Sequence, residues 1–362
     1  MRTLFCTARY GAGGIGQHFA HLVEETRCDN VLDRYYAPSV RGEDPHGRVV
    51  SNRTYGLLTY TPIRFSPGWR SSVANELFDW QMARRLSADG LRAETALMGF
   101  VGTALRTFEV GRSLGAERLE LVAANSHVDN VTRLHAQAAA DSGIHDSWLN
   151  EWQRRKTLRE YERADRIYVH SEYVRHSFLD AGVSASKLVR TVLAPAPRFV
   201  PPTERPTDDT FRIVYVGRLE ATKGIALLLD AFDRLSHPDI ELVLVGGWST
   251  RMGRRLIQSR MAADPRITLR PGDPLPVLQQ ADVFVHPSYE DGFGYAPMEA
   301  LACGVPVIVT ADTGMKEYVE EGRNGFIIPT GDKEALLDRL VHLRDSPLCR
   351  AVSLLTAPAS LS

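Results

Sequence analysis

The densest chemistry in the sequence lies in one run, Pro287-Ser288-Tyr289-Glu290-Asp291-Gly292-Phe293-Gly294-Tyr295-Ala296-Pro297-Met298-Glu299, continuing through Ala300 to Val309. An apolar strand leads here into an acidic, glycine-rich loop and then into a helix. Gly292 and Gly294 leave backbone amides bare at a helix N-terminus, where negative charge is favoured. Asp291 and Glu299, eight residues apart, are carboxylates able to accept hydrogen bonds from hydroxyl groups. The plain alternative is an acidic loop with a glutamate held by the helix dipole.

A second run, Gly217-Arg218-Leu219-Glu220-Ala221-Thr222-Lys223-Gly224, follows an apolar strand at 213–216. Arg218 falls just past the strand end and Lys223 at the start of a helix. Two fixed cations beside a helix N-terminus suit a diphosphate. A solvated lysine and an arginine paired to Glu220 are the alternative. A third run, Gly11-Ala12-Gly13-Gly14-Ile15-Gly16, spells G-x-G-x-x-G between a strand and a helix, with Asp33 17 residues beyond Gly16. That pattern admits a dinucleotide whose ribose meets Asp33. It equally admits a tight turn needing glycine, or a loop shaped around another ligand.

Histidine offers one further candidate. Leu121-Val122-Ala123-Ala124-Asn125-Ser126-His127 places His127 just past a strand. Either His127 meets a ligand, or Asn125 or Ser126 caps a helix opening at Asp129 and His127 is incidental. In His170-Ser171-Glu172, Ser171 reads as a helix cap and His170 is assigned no role.

The elements that must position these residues repeat one theme. Strands at 4–7, 95–98, 119–122, 166–169 and 188–193 alternate with helices at 15–26 and 103–114. Prolines at 195, 197, 201, 202 and 206 then interrupt the pattern as a linker. A second series follows, with strands at 213–216, 242–245, 267–269, 283–285 and 307–309 and helices at 225–235, 251–263, 297–302 and 333–344. Short buried strands separated by helices indicate parallel α/β sheets, and two such halves face each other across a central cleft. The expected division is 1–200 and 201–345, with a loosely ordered tail at 346–362.

Composition agrees with a globular chain. Of 362 residues, 44% are hydrophobic and 24% charged, with 43 basic against 44 acidic residues for a net charge of −1. No global field draws in nucleic acid, and Arg251, Arg254, Arg255 and Arg260 lack the aromatic interleaving of a strand-binding surface. Cys6, Cys28, Cys303 and Cys349 form no C-x-x-C pair, so the expected compartment is the reducing cytoplasm. Arg154-Arg155-Lys156 with Trp148 and Trp152 leaves peripheral contact with the inner face of a membrane open, against a solvated helix with a packed tryptophan pair.

Taken together, these motifs resemble glycosyltransferase family 4, the retaining group with the GT-B fold, also described as glycosyl transferases group 1. The resemblance covers nearly the whole chain, strongly from 214 to 332 and loosely in the N-terminal half. Its G-G-x-G is met by Gly13-Gly14-Ile15-Gly16, its G-R-L…K-G by Gly217-Arg218-Leu219…Lys223-Gly224, and its E-x7-E by the run ending at Glu299. The E-A-x-A-x-G-x-P-V stretch runs from Glu299 to Val307, and Gly314…Glu317 and Gly325-Phe326-Ile327 continue the pattern. The resemblance implies transfer of a sugar from a UDP- or GDP-sugar to an acceptor hydroxyl, with retention of configuration. The acceptor class, whether glycan, lipid-linked or small molecule, is not implied.

By the same resemblance Arg218 and Lys223 bind the diphosphate and Glu299 the ribose. The backbone of Phe293, Gly294, Tyr295 and Ala296 holds sugar and phosphate, and Gly13, Gly14 and Gly16 line the donor site. Asp291 and His127 act near the transferred sugar, with the acceptor entering near Gly14 and His127. No D-x-D pair stands at a cleft strand end, so Arg218 and Lys223 substitute for a metal, and none is required. Two departures stand out. Asp291 occupies the place of the usual first glutamate, with Glu290 one place early, and few residues follow the 333–344 helix, where relatives carry further helices. Two other readings are a nicotinamide-dependent oxidoreductase using Gly11–Gly16 and Asp33, and a non-catalytic GT-B ligand-binding protein; a nucleotide-sugar epimerase sharing the fold is a related enzyme.

Overall fold

A computed structural model describes residues 1–50, 61, 63, 66–204, 206, 208–248 and 250–346. Most of the expected tail, 347–362, therefore lies outside the described residues. The chain forms two compact units that interleave in sequence. Unit 1 comprises 1–129, 147–170 and 175–191; unit 2 comprises 130–146, 171–174 and the chain from 192 onward.

Unit 1 is built on a seven-stranded sheet of order β3-β2-β1-β4-β5-β6-β7. Its strands are β1 (Arg2–Phe5), β2 (Leu32–Ala37), β3 (Gly47–Val49), β4 (Ala96–Phe100), β5 (Arg118–Ala123), β6 (Arg166–Val169) and β7 (Leu188–Arg190). Every pairing is parallel. The helices of this half of the sequence are α1 (Gly13–Cys28), α2 (Pro67–Asp89), α3 (Leu105–Ser113), α4 (Val128–Ser142), α5 (Glu151–Arg163) and α6 (Glu172–Asp180). All but the first two residues of α4 group with unit 2.

Unit 2 carries a six-stranded parallel sheet of order β10-β9-β8-β11-β12-β13. Its strands are β8 (Phe211–Val216), β9 (Ile240–Val245), β10 (Ile267–Leu269), β11 (Val283–His286), β12 (Val307–Thr310) and β13 (Gly325–Ile328). Helices α7 (Ile225–Phe232), α8 (Arg251–Ala263), α9 (Leu275–Leu278), α10 (Tyr295–Ala302) and α11 (Lys333–Asp345) complete it. Strands β11 and β12 are buried along their whole length, as expected where helices cover both faces of a parallel sheet. One face packs Ile213, Leu242, Leu244 and Val285 against Leu228, Phe232 and Leu340. The other packs Val214, Phe284 and Val309 against Met298 and Leu301.

Strand order reverses between β1 and β4 in one sheet and between β8 and β11 in the other. In doubly wound folds ligands bind outside the carboxyl ends of the strands at such a point. The expected α/β architecture of two Rossmann-like sheets is what the chain forms. Strand β1 begins and ends two residues before the expected 4–7, and α10 opens at Tyr295 rather than at 297. Between 191 and 210 the described residues hold no helix or strand, in keeping with the prolines there.

Candidate functional site

The carboxyl ends of β8 and β11 bring the second and densest motifs together. After β8 the chain is pinned to the exit of β9, with the Gly217 amide donating to Val245 O at 2.9 Å and the Leu219 amide to Gly247 O at 2.9 Å. The buried Tyr215 hydroxyl donates to Arg218 O at 2.6 Å, which fixes the turn from beneath. Arg218 therefore leaves the strand with its side chain outward, 54% exposed, and meets Glu220 at 3.2 Å. The pairing to Glu220 that the sequence left open is formed, yet about half of the Arg218 side chain remains exposed.

Residues Ala221–Lys223 form one 3-10 turn, and Gly224 closes it at φ +72°. A Cβ at Gly224 would collide with the Pro287 carbonyl oxygen, so only glycine lets the β8 and β11 loops pass this closely. The amide of Ala221 donates to Asp146 Oδ2 at 2.7 Å. The Tyr289 amide donates to Thr222 O at 3.0 Å. These bonds lock the lysine-bearing turn to the acidic loop.

Lys223 Nζ then lies 2.9 Å from Asp291 Oδ2 and 3.1 Å from Glu290 O. His286, the last residue of β11, is buried, and its Nε2 lies 3.3 Å from the same Asp291 oxygen. Burial alone would raise the Asp291 carboxyl, but Lys223 and His286 together hold it well below the usual carboxylate range. It is an anion at every ordinary pH. The acidic loop itself is clamped: the Ser288 hydroxyl donates to Glu290 O at 2.8 Å, and the buried Ser171 hydroxyl donates to Gly292 O at 2.7 Å. The Val174 amide donates to the Ser171 Oγ, so Ser171 also caps α6, as the sequence implied.

Helix α10 starts from Gly294, which has no side chain with which to cap it. Phe293 is buried against Tyr295 and Tyr318, at ring separations of 6.1 and 5.6 Å, which orients the loop backbone into the helix. Ala296 lies in the first turn. Glu299, the fifth residue of α10, is 6% exposed. Burial pushes its carboxyl up to about 7, Arg198 opposes this and Asp273 adds to it. Arg218, Lys223, Asp291, Phe293, Gly294, Tyr295, Ala296 and Glu299 thus all lie on the β8 and β11 loops or the first turns of α10.

Four contributors have no local sequence signal. His286 reads as an apolar strand's end, and Asp146 as a loop acid. Tyr289 donates to Asp141 at 2.7 Å and packs on Leu134 and Ala138 of α4. His135, also on α4, is buried, and burial together with Lys223 and Arg218 pushes its imidazole down to about 3. Asp146 and His135 are long-range neighbours of the motifs, visible only once the chain folds, whereas His286 and Tyr289 lie beside or within the acidic run.

Unit 1 holds the remaining candidates. Gly13 and Gly14 are exposed at the start of α1, while Gly16 is buried. A Cβ at Gly16 would collide with the Arg9 carbonyl oxygen, and the Gly11 amide donates to Gly16 O at 2.9 Å. The glycines therefore at least close a tight turn after β1. Asp33 is the second residue of β2, level with the start of β1 rather than with the turn beyond its end. Its carboxylate is held by Thr3, Arg34 and Arg92 at 3.2, 2.8 and 3.1 Å. It lies at the wrong end of the sheet to meet a ribose bound at Gly11–Gly16, which removes the nicotinamide reading's key acid.

His127 is buried, with its ring 5.1 Å from that of Tyr161 and 5.3 Å from that of Phe178. Its Nδ1 accepts the Asp129 amide at 3.3 Å at the opening of α4. His127 itself therefore takes part in the opening of α4. Trp152 meets Trp69 at 5.7 Å, both half exposed. Among the described residues no cluster of His, Cys, Asp and Glu could hold a metal ion, and no helix is long and apolar enough to cross a membrane.

Comparison with known proteins falls on the same residues. Residues 200–351 match the family model described as glycosyl transferases group 1. The chain is 32% identical over 143 residues to the Staphylococcus aureus capsular polysaccharide biosynthesis glycosyltransferase CapM, covering 38% of this chain and 37% of that protein. It spans under half the length of the curated relatives it matches. Among solved structures, sucrose-phosphate synthase from Thermosynechococcus elongatus covers 96% of this chain and 90% of its own at 21% identity and a TM-score of 0.73. Anabaena HepE in complex with UDP-glucose covers 97% of this chain and 92% of its own at 18% identity and a TM-score of 0.65. These likenesses show the fold, two Rossmann-like halves of the GT-B type.

Proposed function

We propose that the protein is a glycosyltransferase that takes a sugar from a nucleoside diphosphate donor bound to unit 2 and passes it to an acceptor hydroxyl, with retention of configuration. One observation carries the reading. Arg218 and Lys223 stand on a single strand–helix connection at the reversal point of the unit 2 sheet, beside a helix N-terminus that opens on glycine, within the stretch that matches the glycosyltransferase model. As the bond to the sugar breaks, charge accumulates on the departing diphosphate. Two cations already held at this point, together with the N-terminal end of α10, stabilise that charge. The buried Glu299 carboxylate, on the next turn of α10, accepts from the ribose. That HepE was solved with UDP-glucose supports a UDP-sugar as the first donor to try, with GDP-sugars second. On this reading the cations do the work of a metal, and none is needed.

The test is a thermal-shift panel of UDP-, GDP- and ADP-sugars. A donor at 100 times its Kd should stabilise the protein by about 2.7 kcal/mol. Transfer with the best donor is then followed by NMR, where the product's anomeric signal reports retention. A panel in which no nucleotide sugar shifts the melting temperature overturns the reading.

A further inference from the structure

Asp291 is the place where this chain departs from the family pattern, and its carboxylate is met from two sides. Lys223 Nζ lies 2.9 Å and His286 Nε2 3.3 Å from the same Oδ2. The Lys223–Asp291 pair sets a problem for the proposed site. A lysine that must meet a diphosphate is already paired with an internal carboxylate, so Asp291 competes with the ligand for the same ammonium. The Asp291 side chain is 21% exposed, and leaving a largely buried anion without a partner is costly, so Lys223 turns to the ligand more readily if Asp291 keeps another donor.

His286 is the side chain placed to be that donor. It ends β11 at the strand reversal, five residues before Asp291. It is buried, and neither ring nitrogen makes a hydrogen bond among the described residues, Nε2 approaching Asp291 Oδ2 to 3.3 Å as an ion-pair contact only. The ring is therefore not spent on another acceptor. The Asp291 backbone is fixed independently, its carbonyl accepting the Gly314 amide at 3.0 Å, so the backbone does not follow the lysine away and retention of the carboxylate falls to the side chains around it.

We infer that His286 is a positioning residue that retains the Asp291 carboxylate when a nucleoside diphosphate draws Lys223 away. The inference rests on the donor-site reading above and deepens it. It predicts a dependence that a packing role lacks: His286 matters only while residue 291 carries a charge.

The experiment measures Kd for UDP and for GDP by calorimetry at pH 7.5 in the whole chain. The variants are His286→Leu, His286→Gln, Asp291→Asn and the double variant His286→Leu with Asp291→Asn. His286→Leu should weaken binding about tenfold, the low end for losing a hydrogen bond to a charged group. His286→Gln, whose amide nitrogen stands where Nε2 did, should restore it to within about threefold, on the scale of a neutral bond retained. In the Asp291→Asn background, His286→Leu should change Kd less than twofold, within ordinary additivity error. Equal losses in both backgrounds, failure of His286→Gln to restore binding, or an unchanged Kd in His286→Leu would each overturn the inference. If His286→Leu does not fold, His286→Asn, whose donor stops short of Asp291, takes its place in the same cycle. Wild-type protein that binds neither UDP nor GDP would instead remove the donor-site reading, and the inference with it.

Discussion

The two sheets reverse strand order in the same way and fill the reversal point differently. In unit 1 the helix after β4 is α3, and its N-terminus is occupied by the chain's own acids. Glu160 accepts the amides of Gly102, Ala104 and Leu105, and Asp79 accepts those of Arg106 and Thr107. Lys156, itself buried, bonds Asp79 and Glu76 at 2.8 and 2.9 Å. In unit 2 the matching helix is α10, which opens on Gly294, a residue with no side chain to cap it, with Lys223 and Arg218 on the neighbouring connection. A helix N-terminus has a standing demand for negative charge. Unit 1 meets it internally and becomes scaffold there; on the proposed reading unit 2 leaves it to a ligand.

The largest expected effect breaks the scaffold side. Asp79→Ala strands Lys156 without its closest acid and leaves two amides of α3 unpaired. Removing one partner of a buried pair costs about 3–5 kcal/mol, so chemical denaturation should show a loss of that size. If the comparison holds, the nucleotide Kd of the protein that remains folded is unchanged. A Kd that weakens in parallel with stability would mean the unit 1 network is part of the ligand site.

Next in size is the ligand side. Lys223→Ala and Arg218→Ala should each lower turnover about 10²–10³-fold, the scale for removing one transition-state charge stabiliser, with little change in melting temperature. Turnover should persist in excess chelator. Loss on chelation restored by magnesium or manganese would replace these cations with a metal in the account.

Smaller again is His127→Ala. The sequence left its role between meeting a ligand and lying incidentally beside a helix cap, and in the fold it packs on Tyr161 and Phe178 while accepting an α4 amide. The expected result is a stability loss of about 1–2 kcal/mol, the range for a lost helix-capping bond, with turnover held within a few-fold. A hundredfold loss of turnover at unchanged stability would return His127 to the chemistry.

What the sequence made legible follows from how local each signal is. Arg218 and Lys223 sit on one turn, and Asp291 and Glu299 on one loop and helix, so their grouping could be read from spacing. The apolar runs of β8, β9, β11 and β12 were equally readable because both faces are buried. Helix α2 escaped notice because its buried face includes Gly68, Ser72 and Asp79, which break an apolar period. Asp33 was misplaced because a shift of strand boundary moves a residue from one edge of a sheet to the other. Asp146 and the α4 contacts depend on strand order and long-range packing, which no local pattern encodes, while His286, one residue before the acidic run, reads from spacing only as the end of an apolar strand.

The finest test of the comparison uses two glutamates that burial pushes to about 7 from an ordinary 4.5, one in each unit. Between those values the folded protein binds more protons than the unfolded chain, so each contributes stability that is fullest at low pH and lost as pH rises through about 7. In that respect they are alike, and stability should fall from pH 5 to pH 8 less steeply in Glu160→Gln and in Glu299→Gln. They differ in what the carboxylate is for. Glu160 already accepts three amides, whereas Glu299 is assigned to the donor's ribose. A carboxylate accepts a hydroxyl hydrogen bond more strongly than its protonated form. Affinity for a nucleotide sugar, whose diphosphate has no group titrating near 7, should therefore rise about tenfold between pH 6 and pH 8 for a controlling group near 7. Calorimetry of the best donor across that range checks it. Glu299→Gln should flatten the profile and Glu160→Gln should leave it intact. A profile flattened by Glu160→Gln would show that the acids of unit 1 answer to the ligand after all.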